Sequence, residues 1–200
     1  MASAHTDRSA KPARDENTER HMSRYDEVAR LFREQAHGLV SDPGTLDEIA
    51  AAERVLGAQL PESFRRFQLE FGEYKGGSLD IYSVKPVEPP ARNIVSINRD
   101  ARTELFPRLP SHLIAFSDNG AGDYNCFDTG ARIVDECPVV WWDHELDEDQ
   151  TPEPAASSFL DWLQAELEEI ASEEKGSQFD QIGYFAQDIL RAWLRGRKGE

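Results

Sequence analysis

The chain has 200 residues, 39% of them hydrophobic and 30% charged, and its 38 acidic side chains outnumber 22 basic ones for a net charge of −16. That length and apolar content suit one folded domain with appendages, and the charge argues against binding a phosphate backbone as the main task. No apolar run approaches the roughly 18 to 20 residues that a membrane helix needs.

Residues 1 to 22 are polar, mixed in charge and without hydrophobic period, so a disordered or non-native tail is expected. The same stretch lacks the apolar segment of a secretory signal, which makes a cytoplasmic address the expectation. Ser23 with Asp26 resembles a capping box, and Tyr25, Val28, Leu31 and Phe32 follow at helical spacing until Gly38. Thr45 with Glu48 makes a second box before Leu46, Ile49, Val55 and Leu56, with Gly57 placed to stop the helix. Pro61 opens a third, whose Phe64, Phe67 and Phe71 present an aromatic edge ending at Gly72.

Gly76-Gly77 then turns the chain into a strand over residues 79 to 84, and Ile94 to Leu105 reads as a helix between Asn93 and Pro107. His112 to Ser117 and Tyr124 to Phe127 read as two strands of a hairpin around the glycine-rich turn Asn119-Gly120-Ala121-Gly122. Val139, Val140, Trp141 and Trp142 form an apolar run suited to a central strand buried on both faces. Residues 143 to 158, acidic and broken by two prolines, read as a surface loop. Ser158 is placed to cap a helix with Phe159, Leu160, Leu163, Leu167 and Ile170 inward and Glu166, Glu168 and Glu169 in water. Residues 23 to 175 thus make one α+β domain, a mixed and mostly antiparallel sheet flanked by helices. An additional C-terminal amphipathic helix over 176 to 200, with Ile182, Phe185, Ile189, Leu190 and Trp193 in its stripe, packs on it or reaches a partner.

Chemistry is sparse in these residues. Cys126 and Cys137 stand outside any CxxC pair or zinc spacing and read as reduced packing residues. Asp118, Asp123, Asn125 and Asp128 gather around the hairpin turn, but their order does not match the EF-hand pattern, so turn formation is the better account and no metal is expected. His144 lies between Asp143 and Glu145, where a carboxylate could orient its ring. Cys126 has no cationic neighbour in sequence to lower its pKa, which weakens any Cys–His dyad with His112 or His144. No GxSxG, P-loop, GxGxxG or HExxH is present, and neither catalytic residues nor a cofactor are expected.

Three features in this order, the Leu60-Pro61 start of an aromatic helix running to Gly76-Gly77, the GDYNCFD strand at 122 to 128, and the WWDHE strand end at 141 to 145, resemble the SUKH superfamily, the Smi-Knr group. The resemblance covers about Thr45 to Glu174 and implies a mixed sheet flanked by helices without catalytic residues. In bacteria it implies an immunity protein that binds a cognate polymorphic toxin, often a nuclease or deaminase. Fungal relatives are linked to control of cell-wall synthesis, so a scaffold or regulatory interaction module is the alternative, with an enzyme behind both. An acidic surface fits an inhibitor drawn to a basic groove. The contact surface expected on that reading is Asp118, Asp123, Asp143, Glu145, Asp147, Glu148 and Asp149. Trp141 and Trp142 alternate faces, so one belongs to the core and the other anchors a partner; Trp142 is grouped with the contact residues. Neither nucleic acid nor membrane is expected as a partner.

Overall fold

A computed structural model of the chain describes residues 23–77, 79–86 and 92–172. The expected tail over 1–22 and the helix over 176–200 lie outside the described residues. Helix α1, Arg24–Gln35, starts at Ser23, whose hydroxyl oxygen accepts from the Asp26 amide at 3.2 Å while the Asp26 carboxylate accepts from the Ser23 amide at 3.3 Å. Helix α2, Leu46–Leu56, repeats the device with Thr45 and Glu48 and ends at Gly57 in the left-handed region, φ 77°. Its buried face is Ile49, Ala52 and Leu56; Leu46 and Val55, expected in the stripe, are 63% and 69% exposed.

Helix α3, Glu62–Glu70, begins at Pro61, which offers no side-chain cap. Its free amides are met from far along the chain: the Glu136 carboxylate accepts from the Ser63 amide and hydroxyl, both at 2.8 Å, and the Asp135 carbonyl accepts from the Glu62 amide at 2.9 Å. Gly72 ends the segment with φ 73°, and a Cβ there would lie 2.6 Å from the Asp42 carbonyl oxygen, so only glycine fits.

The strands fall into two antiparallel sheets. The first has the order β1 (Leu39–Val40), β2 (Tyr74–Gly76), β3 (Leu79–Ile81). The strand expected over 79 to 84 stops at Ile81; Tyr82 then donates its amide to the Phe116 carbonyl of the second sheet at 2.9 Å, and Ser83 forms an isolated parallel bridge with Asn93. Asn93 caps helix α4, Ile94–Thr103, by accepting from the Val95 and Ser96 amides. The second sheet is a meander of β4 (Leu113–Asp118), β5 (Tyr124–Asp128), β6 (Val139–Trp142) and β7 (Glu153–Ala156). The hairpin and the inner place of β6 follow the sequence reading. Strand β7 does not: it lies inside the stretch read as loop, and it tolerates Pro154 because an outermost strand can point the missing N–H at water.

Helix α5, residues 159–172, starts where the Ser158 hydroxyl oxygen accepts from the Asp161 amide at 3.2 Å. Its Phe159 meets Phe64, Phe67 and Phe116 at ring separations of 5.2, 5.4 and 5.8 Å, and Phe116 stacks on Phe127 at 4.0 Å. This aromatic cluster joins α3, α5 and the second sheet, while Phe32 and Tyr74, 5.0 Å apart, fix α1 to β2. On the other side, the buried Asn98 of α4 donates to the Ala115 carbonyl at 2.8 Å and accepts its amide at 2.9 Å. Glu166, expected in water, is partly buried, and that burial raises its carboxyl pKa.

Between β5 and β6 the chain makes a two-residue turn in which Ile133 and Glu136 exchange both backbone hydrogen bonds, at 2.9 and 3.1 Å. Val134 at its tip has φ 55°. A non-glycine residue held there costs about 1–3 kcal/mol, and a β-branched one is a true outlier.

Candidate functional site

The β4–β5 turn and the loop after β6 lie at the same end of the second sheet. The register pairs Tyr124 with Trp142, so one step further Asp123 falls opposite Asp143. Asn119 shapes the turn: its Oδ1 accepts from the Ala121 and Asp123 amides at 2.8 and 3.2 Å, and its Nδ2 donates to Asp123 Oδ2 at 2.8 Å. Asp118 accepts from the Gly120 amide at 2.7 Å and from the Tyr82 hydroxyl. In the second loop, Asp143 accepts from the Glu145 amide at 2.7 Å, and Gln150 exchanges hydrogen bonds with the Asp143 backbone at 2.7 and 3.2 Å.

One contact pins the two loops together. His144 Nδ1 lies 2.7 Å from Asp123 Oδ1, which also accepts the His144 amide at 3.1 Å. Gly122 leaves room for the ring, since a Cβ there would come within 3.2 Å of the imidazole. The hydrogen bond to Asp123 raises the His144 pKa above its ordinary 6.5. Burial alone would raise the Asp123 carboxyl pKa, but the His144 side chain and amide and the Asn119 amide outweigh it and hold that pKa below 3.8. The signs fix a window. The His144 share of the pin is whole below pH 6.5 and is lost as pH rises through its folded value; the Asp123 share is whole above pH 3.8 and is lost as pH falls through its own. An NMR titration of the His144 ring should therefore show a midpoint above 6.5 that falls in Asp123→Asn, with Glu145 and Asp143 still acting on the ring. A midpoint at or below 6.5 in the parent protein would refute the pin.

The acids named from sequence thus divide into two groups. Asp118, Asp123 and Asp143 are partly buried and spent on the loops' own donors. Glu145, Asp147, Glu148 and Asp149 are exposed; Glu148 accepts from the Arg108 amide at 3.3 Å, and none of the four makes an ion pair among the described residues. Asp123, Asp143 and His144 each place a ligand atom within 4.8 Å of the others, the nearest approach to a cation site among the described residues, yet the carboxylates already serve the loop amides.

Trp142 is corrected by the structure. At 1% exposure it is core, and Trp141 is the residue that reaches the surface, lining a cleft of about 110 Å³ with Asp143, Leu146, Gln150, Thr151 and Glu153. Gln150 and Tyr82 were missed, because nothing in the local sequence marks a side chain whose partners lie on another loop. Cys126 does gain a cationic neighbour, Arg102, but its complete burial dominates and pushes the thiol pKa up, which leaves it protonated and inert. The groove of about 330 Å³ beside α2 and α4 is lined by Val55, Leu56, Val95, Arg99, Arg102 and Thr103, with no carboxylate or histidine to pair as acid and base. Among the described residues, no helix is long and apolar enough to cross a membrane.

Fold and loops together define an antiparallel α+β domain carrying an acidic, loop-built pole. The family model SUKH_5, described as SMI1-KNR4 cell-wall, matches residues 22–168, and the chain belongs to this family. No curated protein matches it. A crystal structure of a protein from Pseudomonas syringae pv. tomato is similar in fold, with a TM-score of 0.52 and 20% identity over 70% of this chain and 95% of that one.

Proposed function

We propose that the protein is an immunity protein, acting by stoichiometric binding to a basic, nucleic-acid-targeting toxin rather than by turnover. One observation carries the reading: the His144–Asp123 pin gathers two loops of a −16 chain at one pole, where Glu145, Asp147 and Asp149 stay exposed and unpaired among the described residues. Carboxylates held in this way attract a cationic groove from a distance and raise the association rate more than the final affinity. The family description, SMI1-KNR4 cell-wall, favours a second reading, a regulatory interaction module for cell-wall synthesis.

The test uses the product of the adjacent reading frame as partner. Replacing Glu145, Asp147 and Asp149 by lysine should slow association by about tenfold or more at low salt and flatten its dependence on ionic strength. An association rate that stays put would remove the acidic pole from the interface. Absence of any complex between the parent protein and that product would favour the regulatory reading.

A further inference from the structure

The turn between β5 and β6 sits at the pole opposite the acidic loops, because β5 runs from Tyr124 at one end to Asp128 at the other. Val134 and Asp135 are its two central residues, positions where Asn, Asp or Gly are the usual occupants. Val134 instead holds a φ of 55° and gains no burial in exchange: it is 85% exposed, and its neighbour Ile133 is 73% exposed.

The turn is held from behind by a dense set of bonds. Arg132 donates from Nε to the Val134 carbonyl at 3.1 Å, from Nη1 to the Gln59 carbonyl at 2.8 Å and from Nη2 to the Asp135 carbonyl at 3.2 Å. Glu136 and the Asp135 carbonyl are fixed by the start of α3. Each of these bonds to residue 134 uses its backbone and would survive an asparagine there. The side chain that the backbone disfavours is therefore the one feature the scaffold does not need. Strain that the surroundings over-determine gathers at clamps and contact points, and an apolar side chain already fixed in place loses little freedom on binding.

We propose that Ile133 and Val134 form a preformed apolar anchor that enters an apolar, basic-rimmed pocket on the toxin; this rests on the toxin-binding reading above. Charge selects the rim: Asp135 at the tip is exposed and makes no ion pair among the described residues. Glu136, whose carboxylate accepts from Ser63, adds a second negative charge against Arg132, while Glu62 nearby is balanced by Arg65. Area selects the kind of partner. Two side chains fall far short of the ~800 Å² per partner of a stable interface, so a second copy meeting at this point alone would not hold, whereas one anchor within a larger contact matches how binding energy concentrates. The two poles then have separate tasks. The acidic loops act through the field and set the association rate, and the anchor acts by contact and sets the dissociation rate.

Surface plasmon resonance with the purified product of the adjacent reading frame tests this, alongside thermal melting of the free protein. Val134→Asn is expected to raise the dissociation rate about tenfold or more with association within twofold, and to melt at or above the parent temperature because the strain is relieved. Ile133→Ser should move dissociation the same way. Unchanged dissociation in both variants, with the parent complex intact, overturns the anchor and leaves the toxin-binding reading standing. A Val134→Asn melting point below the parent's shows that the valine stabilises the fold, and also overturns the anchor. If the parent protein forms no complex, the toxin-binding reading fails and the anchor with it.

Discussion

Phe159→Ala is expected to lower folding stability by about 3–5 kcal/mol, read as a fall in melting temperature of roughly 6 to 20 °C for a domain of this size. The ring is fully buried and lies at the junction of three elements, 5.2 Å from Phe64 of α3, 5.8 Å from Phe116 of β4 and 5.9 Å from Trp162 of its own helix. Edge-to-face neighbours held by separate elements cannot collapse together into the space, so both the transfer loss and the cavity persist. Urea unfolding gives the check. A loss under about 1.5 kcal/mol would mean the neighbours repack and the cluster is softer than its geometry indicates.

Asn98→Leu is the second large effect, at about 2–5 kcal/mol for a pair of buried polar groups left without partners. Asn98 is fully buried, and it occupies both the amide and the carbonyl of Ala115 on β4 while also donating to the Ile94 carbonyl at 2.8 Å. Leucine keeps the volume and removes every partner. Hydrogen exchange separates this from a general loosening: the Ala115 amide should lose more protection than the Cys126 amide on the neighbouring strand. Equal losses at the two sites would show that the asparagine contributes only to global stability.

Much of the fold was legible because its signals are local. Both capping boxes, the phenylalanine edge of α3, the glycine-bearing hairpin and the apolar β6 each occupy a few adjacent residues, and the structure has them as expected. The elements that went unread are the short ones. Leu39–Val40, Tyr74–Gly76, which the sequence reading took as the tail of the aromatic helix segment, and Glu153–Ala156 become strands only by pairing with a neighbour, and none carries a hydrophobic alternation of its own.

The site was legible in composition and illegible in geometry. Sequence placed His144 between Asp143 and Glu145, but its bond goes to Asp123, and that follows only once Tyr124 is known to face Trp142. The same parity decides between the tryptophans. Trp142 shares its side of the strand with Val140, while Trp141 lies between Asn125 and Glu153 on the neighbouring strands, so the inward residue could be chosen only after the register was fixed.

The borders of the second sheet limit how anything can attach to it. Along β4, the backbone groups of Leu113, Ala115 and Phe116 are taken by Arg102, Asn98 and Tyr82. Along β7, Pro154 offers no N–H and Glu153 adds charge. A foreign peptide therefore finds no continuous row of donors and acceptors along either border of this sheet on which to zip itself. At this sheet association is left to loops and protruding side chains, a mode that sequence drift can retune one residue at a time without disturbing the β-scaffold.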